Sequence, residues 1–258
     1  MITPPIALHI YTDFDSTIVL QDSGNNLLAH EMGVEELERI DRLPKVDSGN
    51  VSLRRAEDMK WGRINITVKE AVDILTSTSD RVSFDKSNGN EYADRSYHVP
   101  IDPAFKQFHR YCKDHQIPIT VVSIGLKPLI AGILEHHLGE DHGIEIRANS
   151  LTTREDGSWR VLWRDSSPYG VEKGRALREA RANDLQSPSS DHILWCGDGS
   201  SDFPAALVAN DVMARQNANL EKLCRANQIP HHSFTTFERV QEVVEEWVRD
   251  HPRQSLEP

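Results

Sequence analysis

No apolar run in this chain approaches the roughly 18 residues that a membrane-spanning helix requires, and no basic segment leads into a sustained apolar stretch at the N-terminus. These absences argue against membrane insertion and export, so the expected compartment is the cytoplasm. Cysteine is scarce. Its three positions, 112, 196 and 224, exclude a disulfide scaffold, and Cys196 lies inside an apolar run, which fits a reducing compartment. Basic residues are also in deficit: 29 Lys and Arg against 40 Asp and Glu leave a net charge of −11. A nucleic-acid-binding surface, or one drawn to anionic lipid, needs the opposite balance, so neither partner is expected. His9, His98 and the adjacent pairs His136/His137 and His231/His232 show no metal-ligand spacing, because adjacent side chains point apart on a helix or a strand.

What is present is enough for one substantial core and a smaller inserted module: 258 residues, 38% of them hydrophobic and 27% charged. Residues 6 to 10, Ile-Ala-Leu-His-Ile, read as a short buried strand, and Tyr11-Thr12-Asp13-Phe14-Asp15-Ser16-Thr17 follows directly. In an open α/β sheet the ligand crevice lies beyond the carboxyl ends of the strands, so Asp13 and Asp15 would emerge together there. Two hard anionic oxygens in one crevice invite Mg²⁺. Taken alone, the segment could equally be a strand followed by a polar turn.

Three further segments supply what a carboxylate attacking a phosphate would need. Ile117 to Gly125 is a second β-rich run, ending in Ser123-Ile124-Gly125. Lys173, followed by Gly174, stands at the start of a helix-like stretch. Ile193-Leu-Trp-Cys-Gly197 runs into the acidic loop Asp198-Gly199-Ser200-Ser201-Asp202. In this order the four segments resemble the haloacid dehalogenase superfamily and, within it, the phosphoserine-phosphatase-like branch, over about residues 8 to 215.

The resemblance implies an α/β fold, a Rossmann-like parallel-sheet core with a small inserted α-helical cap. It divides the chain into a core of residues 1–20 and 100–258 and a cap of residues 21–99. It implies that Asp13 is a nucleophile forming an aspartyl-phosphate and that Asp15 is the general acid and base. Ser123, with the backbone around Gly125, would bind phosphate, although relatives usually carry Gly or a second Ser where this chain has Ile124. Lys173 would neutralise the nucleophile and the transferring phosphoryl group. Asp13, the Asp15 carbonyl and Asp198 would hold Mg²⁺, with Asp202 behind them orienting a metal-bound water or pairing with Lys173.

The implied activity is a Mg²⁺-dependent phosphomonoester hydrolase acting on a small phosphorylated metabolite, as a monomer or homodimer. The alternatives are a phosphotransferase or phosphomutase of the same fold, and a non-catalytic phosphate-ligand sensor. Asp22, nine positions after Asp13, stands where phosphoserine phosphatases place an acid that meets a substrate ammonium. Arg54 and Arg55 lie near those enzymes' carboxylate-binding arginine, with the choice between them open, and Trp61 could either wall the substrate or pack between helices. The stretch after the fourth segment, Asp211 to Cys224, looks closer to methionine-salvage and small-metabolite phosphatases than to strict phosphoserine phosphatases.

Periodicity predicts short cap helices over Leu27–Leu37, Val51–Ile64 and Val68–Leu75, a polar linker over Ser77–Ser96, and a core helix over Pro103–His115. Strands are expected near Ile144 and Ser158, a terminal amphipathic helix over Phe237–Val248, and a frayed end over Pro252–Pro258.

Overall fold

The computed structural model describes residues 7–41, 53–78, 97–183 and 192–251. Its centre is β1 (Leu8–Thr12), a strand whose apolar residues alternate between two hydrophobic clusters, Ile10 on one face of the sheet and Tyr11 on the other. Burial on both faces is typical of a strand inside a parallel sheet, and β1 has two parallel neighbours: β2 (Ile119–Leu126) and β5 (His192–Gly197). With β3 (Glu145–Thr153), β4 (Trp159–Leu162), β6 (Asp211–Arg215) and β7 (His232–Phe234), these form a sheet of order β4-β3-β2-β1-β5-β6-β7. Only the edge strand β4 runs antiparallel to its neighbour. From β1 the chain first builds outward through β2 to β4 and then returns to build β5 to β7 on the other side. The reversal opens a crevice at the carboxyl ends of β1 and β5, where such sheets bind ligands.

The α/β parallel-sheet expectation therefore holds. Among the described residues, four helices lie between β1 and the helix that leads into β2: α1 (Ser23–Met32), α2 (Val34–Asp41), α3 (Leu53–Trp61) and α4 (Val68–Thr76). Leu27–Leu37, read from the sequence as one helix, is two. Gly33 takes φ +82°, a left-handed conformation that ends α1, and its N–H closes that helix onto the Ala29 carbonyl. Asp22 caps the start of α1, and the pair Thr67 and Glu70 forms a reciprocal capping box on α4. Residues 51–52, the expected start of the helix read over Val51–Ile64, most of the expected linker (79–96) and the end segment 252–258 lie outside the described residues.

The helices α5 (Phe105–Asp114) and α10 (Phe237–Asp250) cover one face of the sheet, where Phe105, Phe108 and Phe237 meet edge-on or tilted at 4.8 to 6.2 Å. The other face carries α7 (Lys173–Asn183), the short α8 (Phe203–Ala206) and α9 (Asn219–Ala226), packed on Trp195 and Val122. No helix among the described residues is long and apolar enough to cross a membrane.

The α1–α4 layer is fastened to α6 (Lys127–Leu138) by a contact that leaves no room for a side chain at Gly132. A Cβ there would stand 2.5 Å from Cγ2 and 3.2 Å from Cγ1 of Val72 on α4, and a β-branched neighbour has few rotamers with which to yield. Gly132→Ala is expected to destabilise the protein by about 1–3 kcal/mol, as overpacking does. Adding Val72→Ala should recover much of the loss; denaturant titration of the two proteins measures both.

Candidate active site

The carboxyl ends of β1 and β5 lie level, with Thr12 opposite Cys196, so the residues that follow each strand enter the same crevice. The Asp13 N–H still donates to the Cys196 carbonyl (2.9 Å), the last rung before the chains diverge. Beyond it the chain winds sharply: Thr17, Ile18 and Val19 all donate to the Phe14 carbonyl, and Ser16 sits at φ +54°. A non-glycine residue in that region is a local strain of the kind found at functional turns.

The Asp13 carboxylate is buried. One oxygen accepts from the Phe14 N–H (2.7 Å) and the other faces Lys173 Nζ at 2.7 Å. Lys173, the first residue of α7, is itself fully buried and also donates to Asp202 Oδ1 at 2.6 Å. The second Asp202 oxygen accepts from the N–H groups of Asp198 (2.9 Å) and Gly199 (2.8 Å), so Asp202 is consumed in shaping the loop and holding the lysine. Asp198 accepts from Thr17 Oγ1 at 3.3 Å, which ties the β5 loop to the turn after β1. That turn is held in its place by Arg215 of β6, which donates to the Thr17 carbonyl (2.7 Å).

One ammonium thus stands among the three acids Asp13, Asp198 and Asp202, whose nearest ligand atoms all lie within 4.8 Å of one another. Burial raises the proton affinity of two of these carboxyls, Asp13 and Asp198. Burial, reinforced by Asp202, pushes the Asp198 carboxyl up to about 6. Burial raises Asp13 well above the usual range as well, against the pull of Lys173. Burial opposes the charge on Lys173, but Asp13 and Asp202 more than offset it, and the lysine is held protonated. A crowded set of hard oxygen donors with surplus negative charge fits a divalent cation such as Mg²⁺.

Asp15 has a separate setting. Its Oδ1 accepts from the Ser23 N–H (2.7 Å) at the start of α1, and burial, with the nearby charge of Asp22, raises it to about 7. A carboxyl poised near neutrality can both give and take a proton. Gly125 brings β2 against it: a Cβ there would lie 3.2 Å from Ser123 Oγ and 3.4 Å from Asp15 Oδ2. A side chain at position 125 would crowd both groups. Ser123 is buried, its Oγ accepting from the Gly125 N–H (3.0 Å), while Ile124 is exposed toward the cavity. β2 runs through Ser123 as far as Leu126 instead of ending there, and its register with β3 shifts between Val122 and Leu126.

In front of Asp15 lies a cavity of about 470 Å³ between the α1–α4 layer and the sheet, within the range of small-molecule sites. Its walls include Leu28, Trp61, Val161, Trp163 and Tyr169, with Asp22, Asn25, Glu57, Lys60 and Asn149 as polar groups. Trp61 borders the cavity and stacks on Trp159 of β4 at 6.1 Å. Asp22 borders the cavity while accepting from Asn25 N (2.7 Å) and Nδ2 (3.0 Å). Arg54 and Arg55 do not border it. The Arg54 guanidinium donates to the carbonyls of Ser167 and Asp165 and lies over the Trp163 ring, and Arg55 is exposed.

With this geometry in view, comparison with known proteins is direct. The family model for haloacid dehalogenase-like hydrolases matches residues 10–207, the span from β1 through the acidic loop. The chain belongs to that family. It is 31% identical to Pdp3-interacting factor 1 of Schizosaccharomyces pombe (strain 972 / ATCC 24843), over 89% of this chain and 91% of the relative. It is 26% identical to polyol phosphate phosphatase PYP1 of Saccharomyces cerevisiae (strain ATCC 204508 / S288c), over 90% of each. A solved phosphoserine phosphohydrolase-like protein from Francisella tularensis subsp. tularensis SCHU S4 shares the fold, with a TM-score of 0.60 and 19% identity over 92% of this chain and 99% of that one. Of these relatives, PYP1 is a phosphatase by name, and the solved structure shows that the fold is shared.

Sequence reasoning missed four residues that the fold brings to the site. Thr17 belongs to the first motif, and its hydroxyl could have been singled out there. Lys60 and Glu57 look like ordinary charges of a surface helix. Asn149 is buried in β3, where it donates to the carbonyls of Ile124 (2.8 Å) and Tyr169 (2.9 Å) and accepts from the Arg164 N–H (3.1 Å). It ties the end of β2 to Arg164 and Tyr169, and nothing in its local sequence marks that role.

Proposed function

We propose that this protein is a Mg²⁺-dependent phosphomonoester hydrolase that works on a small phosphorylated metabolite through an aspartyl-phosphate. The observation that carries the reading is the buried Asp13–Lys173–Asp202 chain of contacts at a strand-end crevice, opening through Asp15 into a cavity of metabolite size. Asp13 attacks phosphorus and the ester oxygen leaves, taking a proton from Asp15. Lys173, Ser123 Oγ and the N–H groups beside Gly125 hold the phosphoryl oxygens while charge builds on them. Asp15, now ionised, accepts a proton from water as that water attacks the phosphorus of the acyl phosphate, releasing phosphate and restoring Asp13.

Asp13, Asp198 and the Asp15 carbonyl are the groups that would hold Mg²⁺, and the bound ion supplies further neutralisation of phosphoryl charge. Residues 21–99 serve as the cap and residues 1–20 with 100–258 as the core, an arrangement that excludes water from the cavity before transfer. The setting in this reading is the cytoplasm, with a small metabolite as partner.

The test is release of inorganic phosphate from a panel of phosphorylated metabolites with Mg²⁺. Selective release is expected, abolished by EDTA and restored by excess Mg²⁺. Transfer of the phosphoryl group to a second hydroxyl, or no turnover of any ester, would set the hydrolase reading aside.

A further inference from the structure

Lysine on a cap helix ordinarily extends into water, where its charge costs nothing. Lys60 does not. It is 5% exposed, it borders the cavity, and its ammonium lies 2.7 Å from Glu57 Oε1, one turn earlier on α3. Burying a charge is unfavourable unless it is paired, and Glu57, also on the cavity wall, provides the pairing. The two stand on the α3 side of a space whose other walls hold Asp15 and Gly125.

We infer that Lys60 and Glu57 are the pair that reads the leaving group of the substrate, and that this leaving group is uncharged and hydroxylated. The inference rests on the hydrolase reading of the same site. An ammonium donates and a carboxylate accepts, so side by side they match a hydroxyl in both senses, one binding its oxygen and the other its hydrogen. Their charges cancel, so the pair presents no net charge to complement an ionic substituent. The remaining walls agree. Asp22 and Asp15 make the cavity inhospitable to a second anionic group, and Arg54 has its guanidinium committed to the Asp165 and Ser167 carbonyls. Trp61, Trp163 and Leu28 supply apolar surface against which a short carbon chain can lie.

Three esters with the same three-carbon skeleton separate the possibilities: glycerol phosphate carries hydroxyls, propyl phosphate lacks them, and O-phosphoserine carries two charges in their place. Affinities are measured by calorimetry with Mg²⁺ on full-length Asp13→Asn protein, which needs no turnover, and kcat/KM by phosphate release from the Asp13 protein. Glycerol phosphate is expected to be preferred over both other esters by at least about tenfold, since a site built around a hydroxyl leaves polar groups unpaired without it. In Lys60→Met and in Glu57→Ala the preference over propyl phosphate should shrink to within about threefold. Glu57 is partly exposed, so its alanine variant reads the pair even where Lys60→Met folds poorly. A preference for phosphoserine, or an unaltered glycerol-to-propyl ratio in Glu57→Ala, would overturn this inference and leave the hydrolase standing. Preferential binding of glycerol phosphate that depends on the pair, without phosphate release from any ester, would remove the hydrolase reading and leave the pair's role intact.

Discussion

Lys173→Met is expected to lose phosphate release by about 10³-fold or more and to lower stability by about 3–5 kcal/mol. Both effects come from one geometry. The Lys173 side chain is wholly buried and its ammonium lies 2.7 Å from Asp13 and 2.6 Å from Asp202, so its removal leaves two carboxylates out of water with no cation between them. Breaking a buried pair costs far more than the pair contributes, because the surviving charge keeps its desolvation penalty. The double variant Lys173→Met/Asp202→Asn separates the two effects. Neutralising Asp202 should recover a large part of the stability while leaving the enzyme inactive, since the charge facing Asp13 and the phosphoryl group is still missing. Urea unfolding of wild type, single and double variants, beside a phosphate-release assay, checks this; a double variant no more stable than the single one would refute the pairing argument.

Asp13→Asn should produce the opposite combination, an enzyme silenced by about 10⁴-fold or more that is more stable than its parent at neutral pH without Mg²⁺. Asparagine keeps the carbonyl oxygen that accepts from Phe14 N–H, and Lys173 keeps Asp202, so little packing is lost. What disappears is a buried carboxyl whose proton affinity in the folded protein is raised well above 3.8 by desolvation. Between 3.8 and that higher value the folded state retains a proton that the unfolded chain has released, so stability falls as pH rises through this window. Asp15, raised to about 7, and Asp198, raised to about 6, add slopes of the same sign. The advantage of Asp13→Asn over wild type should therefore be absent near pH 3 and grow toward neutrality, with a shallower overall pH slope in the variant. Mg²⁺ should stabilise wild type more than the variant. Melting temperatures across pH, with and without Mg²⁺, test both statements; equal pH slopes would count against the raised carboxyl.

The acids, the hydroxyl and the lysine of this site were legible because each belongs to a short segment that carries its own context. Asp13 and Asp15 follow an apolar strand, Asp198 and Asp202 follow another, and strand-end chemistry makes the residue types informative before any packing is known. The sheet and most helices were legible for the same reason, since periodicity and caps act over a few residues. The break at Gly33 was less visible, as apolar positions continue past it and only the backbone angle ends the helix.

By itself, then, the sequence determined the parallel α/β class, the segments that end in reactive groups and the kind of chemistry those groups can perform. Only the tertiary structure decided which charges meet. It turned Arg54 onto carbonyls more than 100 residues away, buried Lys60 beside Glu57 at the cavity wall, and linked Thr17 to Asp198 across 181 residues. A side chain's role in such contacts depends on the surface that packs against it, and that surface is contributed by segments remote in the chain. Local sequence records a residue's chemistry; burial and partners, which decide whether that chemistry is used for folding, specificity or catalysis, arise when the sheet and its covering helices come together.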